Sequence, residues 1–258
     1  MTLFDTHAHY DDEAFDADRD AVLSAFNGLV IDPGCTLASS QAAVELAARH
    51  PHVYAAVGIH PENCGDFVPE HMDALRQLAQ QPKVVAIGEI GLDYYWAENP
   101  PREFQQQVLR AQLALALALD LPVIIHDREA HGDSLAIVKE YPALRGVFHC
   151  YSGSVEMAKE LLALGWYLGF DGPVTYKNAR KTVEVAEMVP PDRILIETDS
   201  PYMSPVPMRG KRNDSRNVCY IAEKLAQIKG MTTEEMARLT MENGKRLFNL
   251  SKKGEALF

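Results

Sequence analysis

The sequence predicts a single-domain α/β protein folded as a (β/α)8 barrel of the TIM type. Three observations carry that expectation. Short apolar runs rich in Val, Ile and Leu recur along the chain, each followed by a helical pattern. There are eight such runs in 258 residues, the span that one barrel of this kind needs. No long linker, fixed repeat or low-complexity tract separates them, so residues 1–258 read as one unit.

In order, the runs are Leu3–Ala8, Gly28–Pro33, Val53–Ile59, Val84–Gly88, Pro122–Ile125, Gly146–Phe148, Trp166–Phe170 and Arg193–Ile196. Near-continuous apolar strands of this sort belong to a parallel sheet covered by helices. Between them, Ala38–Arg49, Pro101–Leu119, Ser154–Leu164 and Thr175–Met188 read as amphipathic helices. Asn213–Lys229 and Thr232–Asn249 then close the chain as helices. A doubly wound open sheet is the structural rival. The first run is not followed by GxGxxG, which weighs against a nucleotide-binding sheet of that kind.

Composition bounds the function. A net charge of −11 argues against a protein that coats nucleic acid non-specifically. It leaves room for a local basic site that receives a phosphate. Cys35, Cys64, Cys150 and Cys219 are scattered with no CxxC pair, as expected of reduced thiols in a cytoplasmic protein. The first residues lack a basic segment followed by an apolar run. The longest apolar stretch, Leu113–Leu121, is broken by Asp120, so no membrane segment is expected. A monomer is expected.

In a barrel of this kind, chemistry sits at the C-terminal ends of the strands. Those ends carry His7 and His9, then His60, then Glu89 and Asp93, then His126, Asp127 and Arg128, then His149, then Glu197 and Asp199. Residues two apart on a strand face the same side, so His7 and His9 would leave the first strand together. Any one of these histidines alone reads as a surface or structural residue. Several imidazoles and carboxylates converging on one barrel mouth read as a divalent-metal site, because leaving such groups unpaired there is costly.

The stretches "FDTHAHYDD", "VGIHPE", "AIGEIGLDYY", "PVIIHDREAHGD", "VFHCYSGS" and "ILIETDSPYMSP" together resemble the TatD-related metal-dependent hydrolases and deoxyribonucleases, a branch of the amidohydrolase-type barrels. The resemblance runs from Asp5 to about Asn249. It implies a barrel with two divalent ions, zinc, manganese or magnesium. His7, His9, Glu89 and Asp199 would hold one ion. Glu89, His126 and His149 would hold the other, with Glu89 as the bridge. His60 would face substrate. Two departures stand out: Ser215 replaces a usual proline in the loop after the last strand, and Tyr151 stands where phenylalanine is common.

Two metals suit phosphodiester hydrolysis by activation of water, and the resemblance implies that the substrate is DNA, with single strands trimmed from an end. Asp199 and Glu89 are the expected catalytic groups. Glu197 reads either as support for the site or as a barrel-interior residue paired with a base. Arg128, Arg209 and Arg212 are expected substrate contacts, since the planar fork of arginine suits phosphate. Lys177, Arg180 and Lys181 read equally as phosphate contacts or as a solvated helix face. Tyr94, Tyr95 and Trp96 would either stack on bases or roof the barrel.

Three other readings compete. His126 and Glu129 form an HxxE pattern, which resembles a deaminase motif within the amidohydrolase type. An ester joining an amino acid to tRNA would suit the same metals. A metal-stabilised scaffold without catalysis would need no polar groups beyond the ligands.

Overall fold

The computed structural model describes residues 1–250. The last eight positions of the one-domain expectation, 251–258, lie outside the described residues. The strands are β1 (Leu3–Asp5), β2 (Gly28–Pro33), β3 (Val53–Val57), β4 (Val84–Asp93), β5 (Val123–Arg128), β6 (Gly146–Phe148), β7 (Tyr167–Phe170) and β8 (Ile194–Ile196). They pair in sequence order, all parallel. Past the ends of β8 and β1 the sheet closes on itself: Thr6 N–H donates to Ile196 O, and Ala8 bridges Ser200. The expected barrel is what forms.

The helices are α1 (Arg19–Ser24), α2 (Leu37–Arg49), α3 (Glu70–Ala79), α4 (Arg102–Leu119), α5 (His131–Lys139), α6 (Val155–Ala163), α7 (Arg180–Met188), α8 (Val218–Lys229) and α9 (Thr233–Leu247). Their boundaries have local causes. Thr36 with Ser39 and Thr232 with Glu235 form capping boxes that open α2 and α9. Ser154 caps α6 through Met157 N–H. Gly230, at φ +65°, closes α8. Among the described residues no helix is long and apolar enough to cross a membrane.

Two expected helices start late. Thr175–Met188 becomes a 3-10 turn at Gly172–Thr175 followed by α7, and Asn213–Lys229 becomes a 3-10 turn at Ser215–Asn217 followed by α8. Pro173 sits in the first of these turns at a position that needs no N–H, and Asp214 opens the second by accepting the Arg216 N–H. Two strands outrun the expectation, since β4 continues to Asp93 and β5 to Arg128.

The interior holds Phe4, Ile31, Ile124, Val147 and Leu195, and residues of the α9 end, Leu247, Phe248 and Leu250, pack against them. A larger apolar layer lies between the strands and the helices. The interior plug leaves the C-terminal strand ends as the accessible mouth.

Candidate metal centre

The charged residues begin where the strands end. β1 stops at Asp5, so strand alternation is not what brings His7 and His9 together. Flanking tethers do it: Ala8 N–H donates to Ile31 O (3.0 Å), His9 N–H to Ser200 O (2.7 Å) and Asp199 N–H to His7 O (2.9 Å). The result is two Nε2 atoms 3.1 Å apart. The same tethers bring Asp199, at φ +54°, beside them, with Oδ1 3.7 Å from His7 Nε2 and 3.6 Å from His9 Nε2.

Glu89 reaches the centre because β4 is irregular. Simple alternation would put Glu89 on the side of Ile87, toward the helices. The register against β5 shifts by one residue between Ile87 and Ile90. That shift leaves Ile87, Ile90 and Leu92 all in the outer apolar layer and turns Glu89 inward. Its two oxygens then divide. Oε2 lies 3.2 Å from His7 Nε2 and 3.5 Å from His9 Nε2. Oε1 lies 2.7 Å from His149 Nε2 and 3.0 Å from His126 Nδ1. Burial opposes ionisation of Glu89, but the surrounding imidazoles, His149 foremost, hold its carboxyl well below the usual range.

Neighbouring groups set which ring nitrogens are free. His9 Nδ1–H donates to Pro33 O (3.2 Å), leaving the lone pair on Nε2. His126 Nε2–H donates to Asp93 Oδ2 (3.0 Å), leaving Nδ1 to face Glu89. His60 is arranged the other way. Its Nδ1 accepts the N–H of Glu62 (3.2 Å), so a neutral ring carries its proton on Nε2, 3.6 Å from Glu89 Oε1. Burial, then the neighbouring His126, push His60 down to about 3, which keeps the ring neutral. His60 therefore offers a donor rather than a ligand's lone pair.

This donor set fits divalent metal. Burial opposes charge on His9, His126 and His149, yet without metal the neighbouring carboxylates, with Cys35 beside His9, hold all three above the usual imidazole range, so protons occupy these nitrogens. A divalent cation would take the place of those protons. Imidazole and carboxylate donors suit zinc or manganese, and carboxylates also admit magnesium.

Above the cluster lies a cavity of about 770 Å3, the size of a small-molecule site. Among its lining are His60, Arg128, Trp96, Asp171 and Tyr202. The structure thus brings His60 and Arg128 to the centre. It does not bring Arg209 and Arg212 there. The Arg212 fork is spent on Asp18, at 2.8 and 2.7 Å, and on Ala14 O at 2.6 Å. Arg209 stacks over Tyr176, its guanidinium carbon 4.4 Å from the ring centroid. Lys177, Arg180 and Lys181 are exposed and outside the lining. Glu129, the acid of the HxxE pattern, is also exposed and outside it, so a proton-shuttling glutamate is not supplied from that position.

Asp93, read only as a strand-end residue, is fully buried and orients His126. Two residues escaped the sequence reading. Asp32 and Asp171 are buried carboxylates at the ends of β2 and β7. Reading those two strand ends by the rule applied to the others would have found them. Glu197 accepts the N–H of Cys150, the residue after His149, and Thr6 Oγ1–H at 3.3 Å. Its Oε1 lies 3.6 Å from His149 Nδ1, beyond hydrogen-bond length. Ser215 answers for the missing proline: its N–H, which proline lacks, donates to Tyr10 Oη at 3.0 Å, and its Oγ accepts the Tyr10 O–H at 3.0 Å. The hydroxyl of Tyr151 donates to Ser154 O (2.7 Å) at the start of α6.

The model of the TatD-related DNases matches residues 4–249. The chain belongs to the TatD-related DNase family. Within that family it is 43% identical over 255 residues to a Bacillus subtilis protein described as an uncharacterized metal-dependent hydrolase, YabD, covering 96% of this chain and 100% of that one. It is 34% identical to the 3'-5' ssDNA/RNA exonuclease TatD of Erwinia tasmaniensis, covering 96% and 100%. The crystal structure of the TatD homologue YjjV from Escherichia coli superposes with a TM-score of 0.89 at 33% identity, covering 96% and 98%. This TatD-family chain is a metal-dependent hydrolase.

Proposed function

We propose that the protein hydrolyses phosphodiester bonds of single-stranded nucleic acid, DNA foremost, from an end, and that it uses two divalent ions. The observation that carries this is the division of Glu89: one oxygen faces His7 and His9, the other faces His126 and His149. A carboxylate shared in this way suits a two-ion centre. His7, His9, Glu89 and Asp199 would hold one ion; Glu89, His126 and His149 would hold the other. The exonuclease name carried by the Erwinia relative supports the choice of substrate.

When bound, two such ions make a water acidic enough to attack near neutral pH and neutralise charge on the phosphate. The residues around them do the rest. Asp199, facing both β1 imidazoles, orients the attacking water and takes its proton. His60 donates its Nε2–H to a phosphate oxygen. Arg128 meets phosphate with its fork, which no acceptor occupies among the described residues. The buried floor excludes bulk water, since Glu89 and His149 are almost wholly covered.

The test is cleavage of an end-labelled single-stranded DNA oligomer by metal-stripped protein, with Mg2+, Mn2+ or Zn2+ added back separately. A metal-dependent ladder is expected, absent from Asp199→Asn. No cleavage with any metal, in protein that binds metal, would turn the reading toward ester and amide substrates.

A further inference from the structure

We propose that Trp96, braced edge to face by Tyr95 and backed by Arg128, is the stacking platform for an unpaired nucleobase at the rim of the cavity. This rests on the nucleic-acid reading above and names the part of the substrate that the metal cluster does not read.

Three aromatics follow β4, and the structure separates their duties. Tyr94 is occupied by the fold. Its hydroxyl donates to Asp133 Oδ2 (2.8 Å) and accepts from Gln106 Nε2 (2.9 Å), while Arg102 covers its ring at 4.3 Å. Tyr95 and Trp96 are 52% and 44% exposed, so they do not roof the barrel. Two large neighbouring aromatics left in water beside a site offer a planar, apolar ligand a surface to stack on.

They are exposed but held. Their rings meet edge to face, 4.7 Å between centroids at 87°. The Arg128 guanidinium carbon lies 3.9 Å from the Tyr95 centroid and 5.3 Å from that of Trp96. Among the described residues the guanidinium has no hydrogen-bonded acceptor, so its face serves the aromatics while its edge stays available to a phosphate. Such a cation and aromatic pair suits the two chemical halves of a nucleotide.

The platform is also registered to the reacting centre. Asp93 Oδ2 accepts from His126 Nε2 (3.0 Å), and Asp93 Oδ1 accepts the Tyr95 N–H (2.9 Å). One buried carboxylate therefore sets both the imidazole below and the aromatic loop above. Arg128 follows His126 by two positions on β5, and both line the same cavity as Trp96. Stacking on such a platform accepts any base, so it binds without sequence preference, but the base must be unpaired. The platform thus selects single strands over duplexes.

Fluorescence tests this directly. The chain has two tryptophans, and Trp166 is 1% exposed, so Trp96 is the reporter that solvent-borne ligands reach. Full-length Asp199→Asn protein with Mn2+ is titrated with a short oligothymidylate, with an oligomer of the same length lacking bases, and with a duplex. Oligothymidylate is expected to quench the emission and to bind about tenfold or more tighter than the other two. Adding Trp96→Ala is expected to reduce oligothymidylate binding, read by anisotropy, to the level of the base-free strand, and Trp96→Phe to restore most of it. Equal binding of base-bearing and base-free strands overturns the platform. So does an equal loss for both in Trp96→Ala, which marks a merely structural role. Base-selective binding without cleavage by the wild type would sink the hydrolytic reading and leave the platform standing. Cleavage with base-blind binding would do the reverse.

Discussion

Asp93 shows how much of the centre depends on a side chain that need not touch metal. It is fully buried, accepts from His126 Nε2, and thereby fixes which nitrogen of that ring stays free. Partners of this sort orient a ligand and raise its basicity. Asp93→Asn keeps the volume but removes the charge. We expect it to weaken metal binding by about 10- to 100-fold, read by isothermal titration calorimetry. An unchanged affinity would remove Asp93 from the site. His60 makes the complementary point. It is a histidine among histidines, yet the Glu62 N–H uses its lone pair and leaves it a donor. Residue type alone does not separate these two roles; the hydrogen bond on the far nitrogen does.

At the scale of elements, β4 is the decisive strand. Its register shift turns Glu89 inward, and its length carries Asp93 and the aromatic loop to the rim. Gly91, at φ +153°, allows β4 to lie against β5 there: a Cβ at this position would meet His126 O at 1.9 Å. That atom is backbone and cannot swing away. Gly91→Ala is expected to destabilise the fold by about 2–3 kcal/mol or more, measured by urea unfolding, with loss of metal binding because His126 moves. A variant that unfolds at the wild-type midpoint would show that the strands part without cost. The loop after β8 works differently. Its arginines hold the loop down, Arg212 on Asp18 and Arg216 on Asp214, so a run that reads as phosphate-binding is largely spent on structure.

For the whole molecule, the cluster sets a condition on stability. Four imidazoles, those of His7, His9, His126 and His149, crowd against Glu89 and Asp199 at a largely buried floor. Metal that binds only the folded chain stabilises it by mass action, by about 4 kcal/mol at a thousandfold excess over Kd. In a chain of this size that corresponds to a shift of roughly 10 °C. Stripping the metal is expected to lower the melting temperature by about that much in scanning calorimetry, with recovery on adding Zn2+ or Mn2+. Equal melting temperatures with and without metal would break the link between the cluster and the fold.

The sequence by itself determined the alternation of strands and helices, hence the barrel, because the apolar period of each element is local. It also placed His7, His9, Glu89, His126, His149 and Asp199 at strand ends of a closed parallel barrel, which share one mouth, and its family resemblance named them as the ligand set. Tertiary structure alone decided the rest. Which face Glu89 takes depends on a register shift against β5. Whether Arg128 or Arg212 is left with a free fork depends on whether an acid from a distant segment, such as Asp18, has taken it. Asp93 matters because of a histidine 33 positions away in sequence. Periodicity and residue type are written along the chain; proton positions and spent charges are settled between segments that only folding brings into contact.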